Sequence, residues 1–129
     1  GNLPMNLHLL DFDCSEDAEG VVCWDALAQP APRYNSALLA EVALLLAWSH
    51  RFAAQGPGAL EDGADWDVDL QVLLHSEAGH PVPAQAHFDL TTGTVRLTPA
   101  AEQHPLELSL SLSGTPAFAQ ALREQFNLP

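Results

Sequence analysis

The stretch Leu106-Glu107-Leu108-Ser109-Leu110-Ser111-Leu112-Ser113 alternates apolar and polar residues without interruption. Successive side chains of a β-strand point to opposite faces, so this pattern suits a strand with one buried side and one wet side. Such a strand belongs in an antiparallel sheet covered on one face, because parallel sheets are buried on both faces and read as continuous apolar runs. The rest of the chain must then supply more alternating strands and an apolar layer to cover the leucines.

Both are legible. Trp66, Val68, Leu70, Val72 and Leu74 alternate with Asp65, Asp67, Asp69, Gln71 and His75. A turn around Ala78-Gly79-His80 leads to a strand with Val82, Ala84, Ala86, Phe88 and Leu90 inward. Thr91-Thr92-Gly93-Thr94 then turns the chain into Val95-Arg96-Leu97. At the other end, Leu7 to Cys14 and Val21 to Leu27 have strand character on either side of the acidic turn Ser15 to Gly20 and read as an N-terminal hairpin. Pro30 and Pro32 break the pattern after it.

The covering layer comes from two helices. The first begins near Asn35 or Ser36, either of which can cap the first turn, and stops at Gln55-Gly56-Pro57-Gly58 after about Ala54. Leu38, Val42, Leu45, Leu46, Ser49, Phe52 and Ala53 share its core-facing side. The second opens at Gly114-Thr115-Pro116, with Thr115 as cap and Pro116 at the first helical position. Its buried stripe is Phe118, Leu122 and Phe126. The expected fold is α+β: an antiparallel meander of about five to six strands with two helices on one face, in the order ββ-α-ββββ-α. At 129 residues and 47% hydrophobic, the chain reads as one domain, 1–129, that needs no disulfide or metal to be stable. Gly1 is no translation start and reads as a vector remnant, with Met5 as the native start.

Seventeen acidic residues face only Arg33, Arg51, Arg96 and Arg123, for a net charge of −13. That charge repels phosphate backbones and anionic lipid, so nucleic acid and membrane surfaces are not expected partners. The most apolar run, Ala37 to Trp48, is broken by Glu41 and falls short of the ~20 apolar residues a membrane span needs. With no signal peptide pattern at the N-terminus, the expected location is the cytoplasm.

Leu10 to Gly20, Trp24-Asp25-Ala26-Leu27 and Ser113-Gly114-Thr115-Pro116-Ala117-Phe118 resemble a family of small uncharacterised proteobacterial proteins. The resemblance implies a bacterial, cytoplasmic protein and no particular activity.

Chemical motifs are sparse. GxSxG, GxGxxG, Walker A and HExxH stretches do not occur, no cofactor is implied, and an enzyme is not the expected reading. Asp67 and Asp69 project from one side of a strand. If the following hairpin pivots on Gly79, Asp69 meets Asp89 and Gln71 meets His87. The quartet Asp67, Asp69, Asp89 and His87 is thus the candidate divalent-cation site, set against a simply solvated acidic face. His75, His80 and His87 converge only if the turn brings them together. Cys14 and Cys23 flank the first turn symmetrically, which in an even hairpin sets them near disulfide reach; the alternative in a reducing cytosol is two free thiols.

The first helix offers another kind of surface. Opposite its core stripe lie Ala37, Ala40, Leu44 and Trp48, flanked by Glu41, Arg51 and Gln55. An exposed Trp-Leu patch rimmed by both charges suits a contact with another protein. The leading expectation is a non-enzymatic accessory or interaction protein, a homodimer, with Leu44, Trp48, Glu41 and Arg51 at its interface or with an open sheet edge as the contact. The alternatives are a cation-dependent binder or hydrolase on the acidic face, and an acidic mimic that engages a basic partner. The mimic requires one contiguous patch, whereas the acids look scattered along the chain.

Overall fold

Alternating segments become strands and the two spaced apolar stripes become helices: β1 (Asp13–Glu16), β2 (Val22–Ala28), α1 (Asn35–Phe52), β3 (Trp66–Leu74), β4 (Val82–Asp89), β5 (Thr94–Thr98), β6 (Leu106–Gly114) and α2 (Pro116–Phe126). The computed structural model describes residues 4–76, 79–100 and 103–129. Ala78, where the expected turn before β4 begins, lies outside them, as does Gly1.

All strand pairs are antiparallel, in the order β1-β2-β6-β3-β4-β5. The fold is the expected α+β sheet with two helices. Its strand order adds what alternation alone does not specify. β3, β4 and β5 form a meander, and β6 then returns to insert between β2 and β3. The position suits it: Leu106, Leu108, Leu110 and Leu112 are all buried, and β6 is laddered to β2 and β3 on either side.

The first expected strand is shorter than its pattern. Residues 7–12 run outside the sheet, with Leu10 and Phe12 buried, and only Asp13–Glu16 pairs with β2. Within the turn that follows, the Asp17 carboxylate accepts from the amides of Glu19 and Val21 at 2.9 and 3.0 Å. Local bonding of this kind favours turn over strand.

α1 begins where expected but without a side-chain cap. Asn35 is buried and donates from Nδ2 to the His104 carbonyl at 2.7 Å, which ties the helix start to the segment before β6. Leu38, Val42, Leu45, Leu46, Ser49 and Ala53 are buried as the stripe predicts. Phe52 departs from it, remaining 39% exposed where the helix ends. α2 has the expected cap: the Phe118 amide donates to Thr115 Oγ1 at 3.4 Å, behind Pro116.

The two helices meet the sheet around one ring. Phe118 stacks on Trp66 of β3 with centroids 5.9 Å apart and planes 3° from parallel. It also contacts Trp24 of β2 at 6.5 Å, and Trp48 and Phe52 of α1 at 5.7 and 5.4 Å. The ring occupies the space above Gly114. A Cβ there would collide with its edge and come within 2.9 Å of its Cγ. Glycine at the end of β6 is therefore a packing requirement, since any side chain there would force Phe118 or the backbone around it to move. Gly114→Ala should lower stability by about 1–3 kcal/mol, the usual cost of overfilling a packed core. An unchanged thermal midpoint would show that Phe118 does not sit where described.

Candidate interaction surface

The α1 face opposite the core contains four residues that matter for a partner surface, and the structure sends them to different duties. Glu41 is committed within the chain. Its carboxylate accepts from three successive backbone amides, those of His8, Leu9 and Leu10, at 2.8–3.0 Å. This pins the N-terminal segment onto α1, and Met5 continues the seam by donating its amide to the Gln125 carbonyl of α2 at 2.7 Å. Successive amides around one anion form a concave nest, here filled by a side chain of the same protein.

Trp48 is likewise drawn inward, correcting the expectation of an exposed aromatic. Its half-buried ring lies in the seam between α1 and α2, 5.7 Å from Phe118 and 6.0 Å from Phe126, and stacks on Phe52 at 5.6 Å. The stripe argument places Trp48 on the outside of an isolated helix, but α2 covers that side. Arg51 remains exposed. Leu44 is the apolar member that stays in water, 43% exposed.

Leu44 does not stand alone. With Ser36, Leu39, Ala40 and Ala43 of α1, and Gly93, Thr94 and Val95 at the start of β5, it lines a concavity of about 420 Å³. A neighbouring concavity of about 460 Å³ shares Leu39 and Val95 and follows β5 through Arg96, Leu97 and Thr98 to Ala100. β5 is the last strand of the sheet order, so among the described residues no strand lies beyond it. The helix thus forms an apolar shoulder beside an open edge. Of the strands described, β5 alone carries no carboxylate. The other edge strand is short, and Asp13 and Glu16 charge it, as edges guarded against pairing often are. Sequence reading named Leu44 and an open edge separately. Leu39, Val95 and Arg96 were not assigned to it, although an acid-free strand in a chain of net charge −13 is a visible signal.

The cation quartet does not assemble. β3 and β4 pair only from Val72↔Ala84 to Leu74↔Val82, in a register offset by two residues from the expected one, so Asp69 is not matched with Asp89. Asp67 and Asp69 face Ser113 and Ser111 of β6. Their oxygens accept from the Val68 amide and from Gln71 Nε2. Asp89 is turned into its own β-turn, accepting from the amides of Thr91 and Thr92 at 2.9 and 3.4 Å. His87 is exposed opposite Arg96. Among the described residues, no three His, Cys, Asp or Glu side chains come close enough to hold a metal ion. That removes the geometric basis for the cation reading, including the convergence of His75, His80 and His87. Behind the gap between β3 and β4, the His50 ring lies 5.2 Å from Trp66 and 5.3 Å from Phe88, filling core space.

The cysteines are also out of register. Cys14 pairs with Trp24 and Cys23 with Ser15, so the two thiols lie on opposite faces of the sheet and both are free. Burial first, then the charges of Asp25 and Asp17, pushes the Cys23 thiol up from its ordinary value. Both effects disfavour the nucleophilic thiolate. On the same outer face, strand pairing runs Asp13–Asp25–Ser111–Asp69. The acids there are less scattered than they look along the chain, and Ser111 Oγ donates to Asp25 at 2.5 Å.

Among the described residues no helix is long and apolar enough to cross a membrane. No protein-family model, curated protein or solved structure matches the chain.

Because one carboxylate satisfies three amides, Glu41→Ala should free the N-terminal segment while the sheet persists. We expect a loss of about 1–3 kcal/mol, within the range for hydrogen bonds to a charged group, and faster hydrogen exchange at the amides of residues 8–10. Unchanged exchange at those amides would contradict the assignment.

Proposed function

We propose that this chain is a non-enzymatic interaction protein of the bacterial cytoplasm that associates with itself, and that its contact surface is the Leu44 shoulder of α1 together with the open edge of β5. The observation that carries this reading is their adjacency: an exposed leucine and a half-buried one border a strand with no further strand beyond it among the described residues. An open edge offers backbone donors and acceptors in a row, and an apolar ledge beside it adds burial to the hydrogen bonds. Neither Glu41 nor Trp48 takes part, because both are occupied within the fold. Nucleic acid stays outside the reading, since a net charge of −13 opposes phosphate.

Light scattering from micromolar to hundreds of micromolar protein tests it. Wild type should approach twice the 13.8 kDa chain mass as concentration rises. Leu44→Asp puts a charge on an already exposed position, so it should leave the thermal midpoint nearly unchanged and remain monomeric. A wild-type monomer throughout the range would overturn self-association.

A further inference from the structure

We propose that the occupant of this surface is a second copy of the chain, paired β5 to β5 in antiparallel fashion about a two-fold axis through Val95. This rests on the reading above that the chain self-associates, and it adds the edge, the symmetry and the register. The two six-stranded sheets would then run on as one.

Charge selects the edge. Every other strand described carries at least one carboxylate, and β1 adds Asp17 and Glu19 in the turn beside it. β5 lies five strand steps from β1 in the sheet order. At ~4.8 Å per step this is about 24 Å, roughly three screening lengths at physiological salt. Two chains of like sign therefore meet less repulsion where β5 meets β5 than where β1 meets β1, with Asp89 of β4, opposite Thr94, a carboxylate one strand step from the β5 edge. A strongly basic partner would instead be drawn to the Asp13–Asp25–Asp69 side.

Sterics and chemistry then select the register. Leu39 and Leu44 lie on the helix-covered side, so an axis perpendicular to the sheet lets the two apolar shoulders meet. In that arrangement residues of one face pair with residues of the same face, and the axis must pass through a single residue. An axis at Arg96 would oppose two guanidinium groups directly on the outer face, which is unfavourable. An axis at Leu97 would bring Pro99, which has no N–H, against Val95. An axis at Thr94 would pair only Thr94 with a β5 residue and set Val95 and Arg96 against the turn residues Gly93 and Thr92. The Val95 axis avoids the first two and pairs residues 94–96 with one another, meeting Gly93 and Thr92 only at the ends of the ladder, opposite Leu97 and Thr98. It sets Arg96 against Thr94 of the other copy and opposes the two Val95 residues, whose side chains are buried on the helix side beside Leu39.

Disulfide trapping tests this in a Cys14→Ser/Cys23→Ser background, with light scattering of the background run in parallel. Directly opposed residues have Cβ atoms ~4.5–5.5 Å apart, near enough for a disulfide after slight adjustment. Under mild oxidation Val95→Cys should give covalent dimers at least tenfold faster than Arg96→Cys. Raising NaCl should increase the yield, because two acidic chains are being screened from each other. If Val95→Cys fails to fold, Thr94→Cys mixed with Arg96→Cys should link into heterodimers, since this register opposes those positions. Faster linking of Arg96→Cys alone, or no linking by any variant of a background that scatters as a dimer, would overturn the register and edge while leaving self-association standing. A monomeric background would show instead that self-association itself has failed.

Discussion

Phe118 can stack on Trp66 only because Gly114 has no side chain, and much of the molecule follows from that contact. α2 starts two residues after β6 ends, so seating its first turn over the sheet requires a ring to pass very close to the strand backbone. Once seated, Phe118 gives Trp24, Trp48, Phe52 and Trp66 a common partner and so joins β2, β3, α1 and α2. Aromatic pairs add about 0.5–1.5 kcal/mol each beyond the area they bury. A cluster of this kind helps fix one arrangement of layers among the many that an alternating sequence permits.

That arrangement also decides what remains open. α1 and α2 share a seam at Trp48, and the N-terminal segment is fastened across it by Glu41 and by the Met5–Gln125 backbone bond. With Trp48 covered, the exposed apolar character of α1 shifts toward Leu44, on the side facing β5. Asp13, Asp25 and Asp69 lie together on the outer face, with Glu16 on β1. The chain thus pairs a short, acidic edge at one end of its sheet with an acid-free edge and an apolar ledge at the other.

Elements dominated by local periodicity were legible in the sequence. The leucine alternation of β6, the aspartate alternation of β3 and the Thr115-Pro116 start of α2 each carry their structure within a few residues. What escaped depends on contacts between distant segments. Residues 7–12 have strand-like composition but bind a side chain 31–33 residues away, and so leave the sheet. The cation quartet rested on a β3–β4 hairpin pivoting on Gly79, whereas the observed pairing is offset by two residues and ends at Val72 and Ala84. Cys14 and Cys23 differ by one position from direct opposition, and one position in a strand is the opposite face. Trp48 lay on the outer side of α1 by helical geometry; only the position of α2 shows that this side is covered.

The central claim is that β5 is the open, working edge of the sheet. Amide hydrogen exchange at low and high protein concentration tests it most directly, since edge pairing converts solvent-facing amides into bonded ones. The account predicts that residues 94–98 gain protection as concentration rises, while β1 gains none and β6 is already the slowest strand to exchange. Concentration-independent exchange across 94–98, or new protection at β1 instead, would contradict it.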